Sequence, residues 1–353
     1  MNRTRFGVTL SETLASIAAF VPVMCMALPM GNASRQASHT RGDAANLRII
    51  HGGLERFASS NGGRYPLPSA VDRFNATEFT SSDPSQKDRT GAVWSLMIFN
   101  HLVPTAGVYV SPLETNPNVQ AISRELYDSV RPGDPVVPSV LRPFNAANTI
   151  DPINAVYDPS FKGTPFDEPL NGLSDVDLAF GQPGVISNNS YAHTPLVGRY
   201  LRQWRTGALG ARAILSLRGP RFQGDTTAMQ VEDWQLTDDE FGAGSNTLGF
   251  LGKDDLWLGN IFFSDGSVRA EVDAFLRDRP LQFLTGGGEN GGPVVVVEEF
   301  PDNIFVSEGS PIESTIENRD DTYLRTWAEG IDRSRRVRAR DFTDPRRRVI
   351  WID

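Results

Sequence analysis

From Thr13 to Ser34 the chain carries 22 consecutive uncharged residues, among them Ile17, Phe20, Val21, Val23, Met24, Met26 and Leu28. A helix of that length crosses a hydrocarbon core of about 30 Å. Arg3 and Arg5 stand before it, which places the N-terminus on the cytoplasmic side and the rest of the chain outside. Beyond it, Ala44, Leu47, Ile50, Leu54 and Phe57 recur at steps of three and four, the stripe of an amphipathic helix. Ser59-Ser60-Asn61-Gly62-Gly63 supplies the residues that end one. Gly42, Gly52 and Gly53 weigh against an unbroken helix, since each costs about 1 kcal/mol relative to alanine. The pattern predicts a transmembrane helix over 8–30 and an amphipathic helix over 31–60. The rival reading is an ordinary secretory signal peptide cut near Asn32-Ala33-Ser34. Glu12 argues against that reading, because a carboxylate opening an apolar segment is costly without a partner.

Further along, Leu256 to Phe263, then Ser264-Asp265-Gly266-Ser267, then Val268-Arg269 read as strand, turn and returning strand. Glycines (32) and prolines (24) are spread through the chain, which favours many turns over a helical bundle. At 353 residues the chain has length for a sizeable core. Thr285 to Gly292 is glycine-rich and is followed by Pro293 and the run Val294 to Val297, a flexible linker entering a buried strand. The expected class is α+β, a long N-terminal helix packed on an antiparallel sheet with an enlarged β-rich head.

Composition narrows the chemistry. A net charge of -9 gives no general attraction to nucleic acid or anionic lipid. Cys25 is the single cysteine, so neither an intrachain disulfide framework nor a cysteine metal cluster can form. No two of His39, His51, His101 and His193 are paired at metal-ligand spacing, and no HExxH, CxxC, GxSxG or P-loop occurs. Acidic clusters at Glu232-Asp233, Asp238-Asp239-Glu240 and Asp254-Asp255 lack calcium-loop spacing. They read first as solvated surface, with Asp238, Asp239, Asp254 and Asp255 as calcium candidates. Arg333, Arg335, Arg336, Arg338, Arg340 and Arg346 to Arg348 concentrate charge before Val349-Ile350-Trp351-Ile352. That tail suits a solvated helix face, an acidic partner or an anionic envelope surface.

The segment Arg5-Phe6-Gly7-Val8-Thr9-Leu10-Ser11-Glu12 resembles the cleavage and methylation motif of type IV pilins and type II secretion pseudopilins. It has a basic leader, a glycine before the cut and a glutamate four residues after the new N-terminus; Pro29, 21 residues after Val8, also falls where many members carry proline. The resemblance implies that a prepilin peptidase cuts after Gly7 and that Val8 is N-methylated. It also implies that Glu12 neutralises the α-amine of a neighbouring subunit and sets the stagger of a filament. Val8 departs from the usual aromatic first residue, and Pro22 is additional.

Asn61-Gly62-Gly63-Arg64-Tyr65-Pro66 is similar to the NGRYP-like segment of pseudopilins. Leu256 to Arg269 resembles the NVLFADGSVR hairpin of large planctomycete-type pilin-like proteins with an H-x9-DG domain, whose motif turn would be Asp265-Gly266. The motif's histidine position holds Asp255. Val108 to Pro112 resembles that family's strand leading to a CPS segment, with Ser111 for cysteine. Asn189 to Ala192 resembles an NSYA-like strand, and Asp302 to Val306 a DNIYT-like stretch.

The resemblance implies a leader at 1–7, a membrane helix at 8–30, its amphipathic continuation at 31–60, a pilin-like head at 61–284 and an extension at 285–353. The expected protein is a structural, non-enzymatic subunit of the inner membrane with its head in the periplasm or outside the cell. Its partners are the prepilin peptidase and other pilin-like subunits, it binds no nucleic acid, and no cofactor is required. The head's size favours a tip or accessory position. The alternatives are an extracytoplasmic binding module for glycan or envelope surface, using Trp204, Trp234 and Trp257, and an enzyme with an acidic site.

Overall fold

The stripe between residues 44 and 57 lies on one helix, α1 (Leu10–Ser59, 50 residues), in the computed structural model of the chain. The structure describes residues 10–72, 87–122, 157, 161–166, 184–196, 200–207, 211–224, 234–251, 256–286, 295–306, 322–328 and 350–352; side chains are described in α1 from Ser34 onward and not at 279–286 or 295–300. Gly7 and Val8 therefore lie outside the described residues, as do Asp254, Asp255 and the arginines of the tail. Glu12 and Pro29 are known only as helical backbone, which continues through Pro22. The expected span at 8–30 falls on that part of α1. Among the described residues no helix is long and apolar enough to cross a membrane.

Residues 34–39 are each exposed, and Asp43 is the first enclosed position. From there Leu47, Ile50, Leu54 and Ala58 are each 0% exposed. The helix leaves the head around Gln36, whose Nε2 still donates to Leu251 O (2.9 Å). At its far end Asn61 Nδ2 donates to Phe57 O (2.7 Å) and Gly63 N–H to Ala58 O (2.9 Å). Gly62 and Gly63, at φ 62° and 76°, take the left-handed conformation that closes such an end.

The buried face of α1 covers a four-stranded antiparallel sheet in the order β1-β2-β5-β6: β1 (Tyr191–His193), β2 (Ala213–Leu217), β5 (Gly259–Phe263) and β6 (Val268–Glu271). Every residue of β1, β2 and β5 is buried. Such strands read as continuous apolar runs rather than alternations. A short helix α2 (Pro68–Val71) precedes α3 (Thr90–Phe99), whose ten residues are all buried. Two small ribbons, β3 (Phe222–Gln223) with β4 (Gln235–Leu236) and β9 (Thr326–Trp327) with β10 (Ile350–Trp351), flank the sheet. The molecule is α+β, a mixed assembly of helix and antiparallel sheet.

One expectation changes. Residues 108–112 do not form a strand: Ala106–Tyr109 is a 3-10 turn capped by Thr105, whose hydroxyl accepts from Gly107 N. The turn suits Tyr109, whose ring stacks on Trp94 at 5.0 Å. The glycine-rich segment expected as a linker is bounded by strands that pair with each other, β7 (Phe275–Gly286) and β8 (Val295–Asn303), with Gly286 opposite Val295. The residues after β8 join the same core, for Ile304, Phe305 and Leu324 pack with Leu47, Trp94 and Ile261.

Candidate functional site

The hairpin read from Leu256 to Arg269 forms, as β5 paired to β6 with Phe262 opposite Val268. Asp265 Oδ1 accepts from Ser267 N (2.9 Å) and Ser267 Oγ (2.6 Å), holding its own turn. Gly266 stands at φ 87°, which few side chains tolerate. Both residues are exposed. The motif turn therefore closes a strand pair, while the inward side of β5 meets α1.

That meeting is where chemistry concentrates. Asp43 reaches from α1 into the sheet and accepts from Ser111 Oγ (2.5 Å), Tyr191 Oη (2.7 Å) and, on its other oxygen, Asn260 Nδ2 (2.7 Å). Asn260 Nδ2 also donates to Thr40 O (3.0 Å). One carboxylate thus ties the helix to the loop after the 3-10 turn, to β1 and to β5. Burial raises the Asp43 titration, against the lowering effect of its hydrogen bonds from Ser111, Asn260 and Tyr191. Burial, with Asp43 beside it, pushes the Tyr191 phenol well above its usual range, so it stays a donor.

The network continues inward. Ser111 N donates to Ser190 Oγ (3.1 Å), which donates to Glu114 Oε2 (2.6 Å). Glu114 pairs with Arg218 (2.8 Å), both side chains under 5% exposed. The Arg218 guanidinium lies 3.9 Å from the centre of the Trp351 ring, bringing β10 onto the same network. Ser111 is thus a hydrogen-bonding hub.

A second buried centre holds the far side. His193 Nδ1–H donates to Thr194 O (2.8 Å), leaving Nε2 to accept from Thr90 Oγ1 (2.9 Å). Thr90 in turn accepts from Trp327 N (2.7 Å). Burial lowers the His193 pKa to about 4, partly opposed by the bond to Thr194. The ring is a neutral structural group.

The remaining candidates are accounted for by local structure. Asp239 accepts from Thr237 Oγ1 (2.5 Å), Gly242 N (2.9 Å), Phe241 N (3.1 Å) and Arg221 Nη1 (3.0 Å), and the Thr237 bond leads in lowering its pKa. Its oxygens are engaged in holding a turn. Asp238 is exposed. Among the described residues no three His, Cys, Asp or Glu side chains converge as metal ligands. Trp204 and Trp257 are each 2% exposed and donate to Pro66 O and Arg218 O, so neither offers a platform for a glycan. Trp234 is half-buried.

No family model, curated protein or solved structure matches this chain.

Proposed function

We propose that this chain is a structural pilin-like subunit, held in the inner membrane by the first half of α1 and carrying its head outside the cytoplasm, where it joins or caps a type II secretion pseudopilus or pilus-like filament. The observation that carries the reading is the single helix Leu10–Ser59, whose described outer stretch at 34–39 is exposed and whose second half is locked to the sheet through Asp43. A helix rooted in this way moves its head as it moves. Joined to Gly7-Val8 and Glu12, it fits a subunit inserted and withdrawn by its N-terminal segment. Glu12 sets axial register by pairing with a neighbour's α-amine.

Glu12→Ala tests this directly. The variant folds its head and reaches the membrane, but its crosslinking into filament-sized assemblies falls at least tenfold. Undiminished incorporation would refute the reading.

A further inference from the structure

Three donor atoms of different chemistry converge between α1 and the turn at its C-terminal end. His51 Nε2 lies 3.2 Å from Glu55 Oε1 and 3.1 Å from Tyr65 Oη, and Tyr65 Oη lies 2.7 Å from the same Glu55 oxygen. His51 and Glu55 are four residues apart and share a helix face. The left-handed turn at Gly62 and Gly63 carries Tyr65 back over that face. The rings are set by packing: Phe262 of β5 lies 4.3 Å from the imidazole, and Trp204 meets Tyr65 edge-on at 5.4 Å. Side-chain exposure is 15% at His51 and 42% at Glu55, so the cluster opens to solvent at the carboxylate.

Three ligands on one face of an octahedron, each about 2.1 Å from the ion, stand about 3.0 Å from one another. The three edges here, 3.2, 3.1 and 2.7 Å, bracket that separation. Imidazole, carboxylate and phenol together suit borderline transition metals rather than calcium or magnesium, which take oxygen donors. We propose that His51, Glu55 and Tyr65 form a facial three-donor site for a divalent transition-metal cation of the Cu2+ class, with water completing the shell.

With Tyr65 Oη donating to Glu55 Oε1, the His51 Nε2 that faces both oxygens carries the imidazole proton while no cation is bound. Coordination as phenolate releases the Tyr65 proton to solvent, the imidazole binds through Nε2 with its proton moved to Nδ1, and two anionic ligands, Glu55 and the phenolate, neutralise the divalent charge.

The test is titration of the purified full chain in detergent with Cu2+, the tightest binder of the divalent series, followed by calorimetry and electron paramagnetic resonance. Wild type is expected to show a site whose affinity falls tenfold or more in Glu55→Gln, Tyr65→Phe and His51→Ala, and is unchanged in His101→Ala. Tyr65→Phe also abolishes the phenolate-to-copper absorption band. Glu55→Gln changes a partly exposed side chain and keeps the test valid if a ring variant misfolds. Equal affinity in wild type and Glu55→Gln, or loss of binding with His101→Ala, would overturn the proposal.

Discussion

A Cβ at Gly53 would lie 2.6 Å from Met97 Cε and 2.8 Å from the Leu102 carbonyl oxygen, whereas one at Gly52 would meet nothing within 4 Å. The two glycines are neighbours on one helix, and in sequence they carry the same cost of about 1 kcal/mol. They differ in which face of α1 they occupy. On the docked face, with Asp43, Leu47, Ile50 and Leu54, glycine is what lets the α3–turn segment approach the helix axis. On the outer face it is a cost with no contact to set against it. The docked face is defined by partners far along the chain, and the outer face by helix propensity alone.

The widest break in that contrast is expected at Asp43→Ala, which leaves the Tyr191 hydroxyl, Ser111 hydroxyl and Asn260 amide facing one another without their acceptor. Chemical unfolding should show a loss of about 3 kcal/mol or more. Next comes the protonation of His193. Its folded pKa of about 4 lies below the ordinary 6.5, so its contribution is full above pH 6.5 and is lost as pH falls through 4. The change amounts to about 3 kcal/mol. Denaturant midpoints measured between pH 7 and pH 4 should fall steeply in wild type and less so in His193→Gln. Third is Gly53→Ala, with a loss of about 2 kcal/mol from overpacking against Met97 and Leu102 despite its better helix propensity. Smallest and opposite in sign is Gly52→Ala, expected to raise stability by up to about 1 kcal/mol in the same unfolding assay. A loss at Gly52→Ala as large as at Gly53→Ala would erase the distinction between the faces.

Local signals were readable where chemistry and pattern agreed over a few residues. The stripe at Leu47, Ile50 and Leu54, the turn at Asn61 to Gly63 and the Asp265-Gly266 hairpin all depend on near neighbours, and all three form. The α3 segment and β2 (Ala213–Leu217) went unread because full burial removes the alternation that marks an element. The strand at residues 108–112 is expected from the family resemblance alone, and the segment is instead a turn in which the Tyr109 ring stacks on Trp94. Asp43 carried no signal at all. It sits between Gly42 and Ala44, and its acceptor role exists only because Ser111, Tyr191 and Asn260 arrive from 68, 148 and 217 residues away. The convergence of Tyr65 on His51 and Glu55 was half legible: the helical pair has the right spacing, but the return of Tyr65 depends on the handedness of the turn between them.

The proposed role of α1 as an anchoring rod is tested most directly at its beginning, by intact mass and N-terminal sequencing of the mature protein. A chain starting at N-methylated Val8 is the expected result. A start near Ser34 would mean that the apolar segment is removed on export, and an unprocessed Met1 that no prepilin peptidase acts; either would contradict the filament reading.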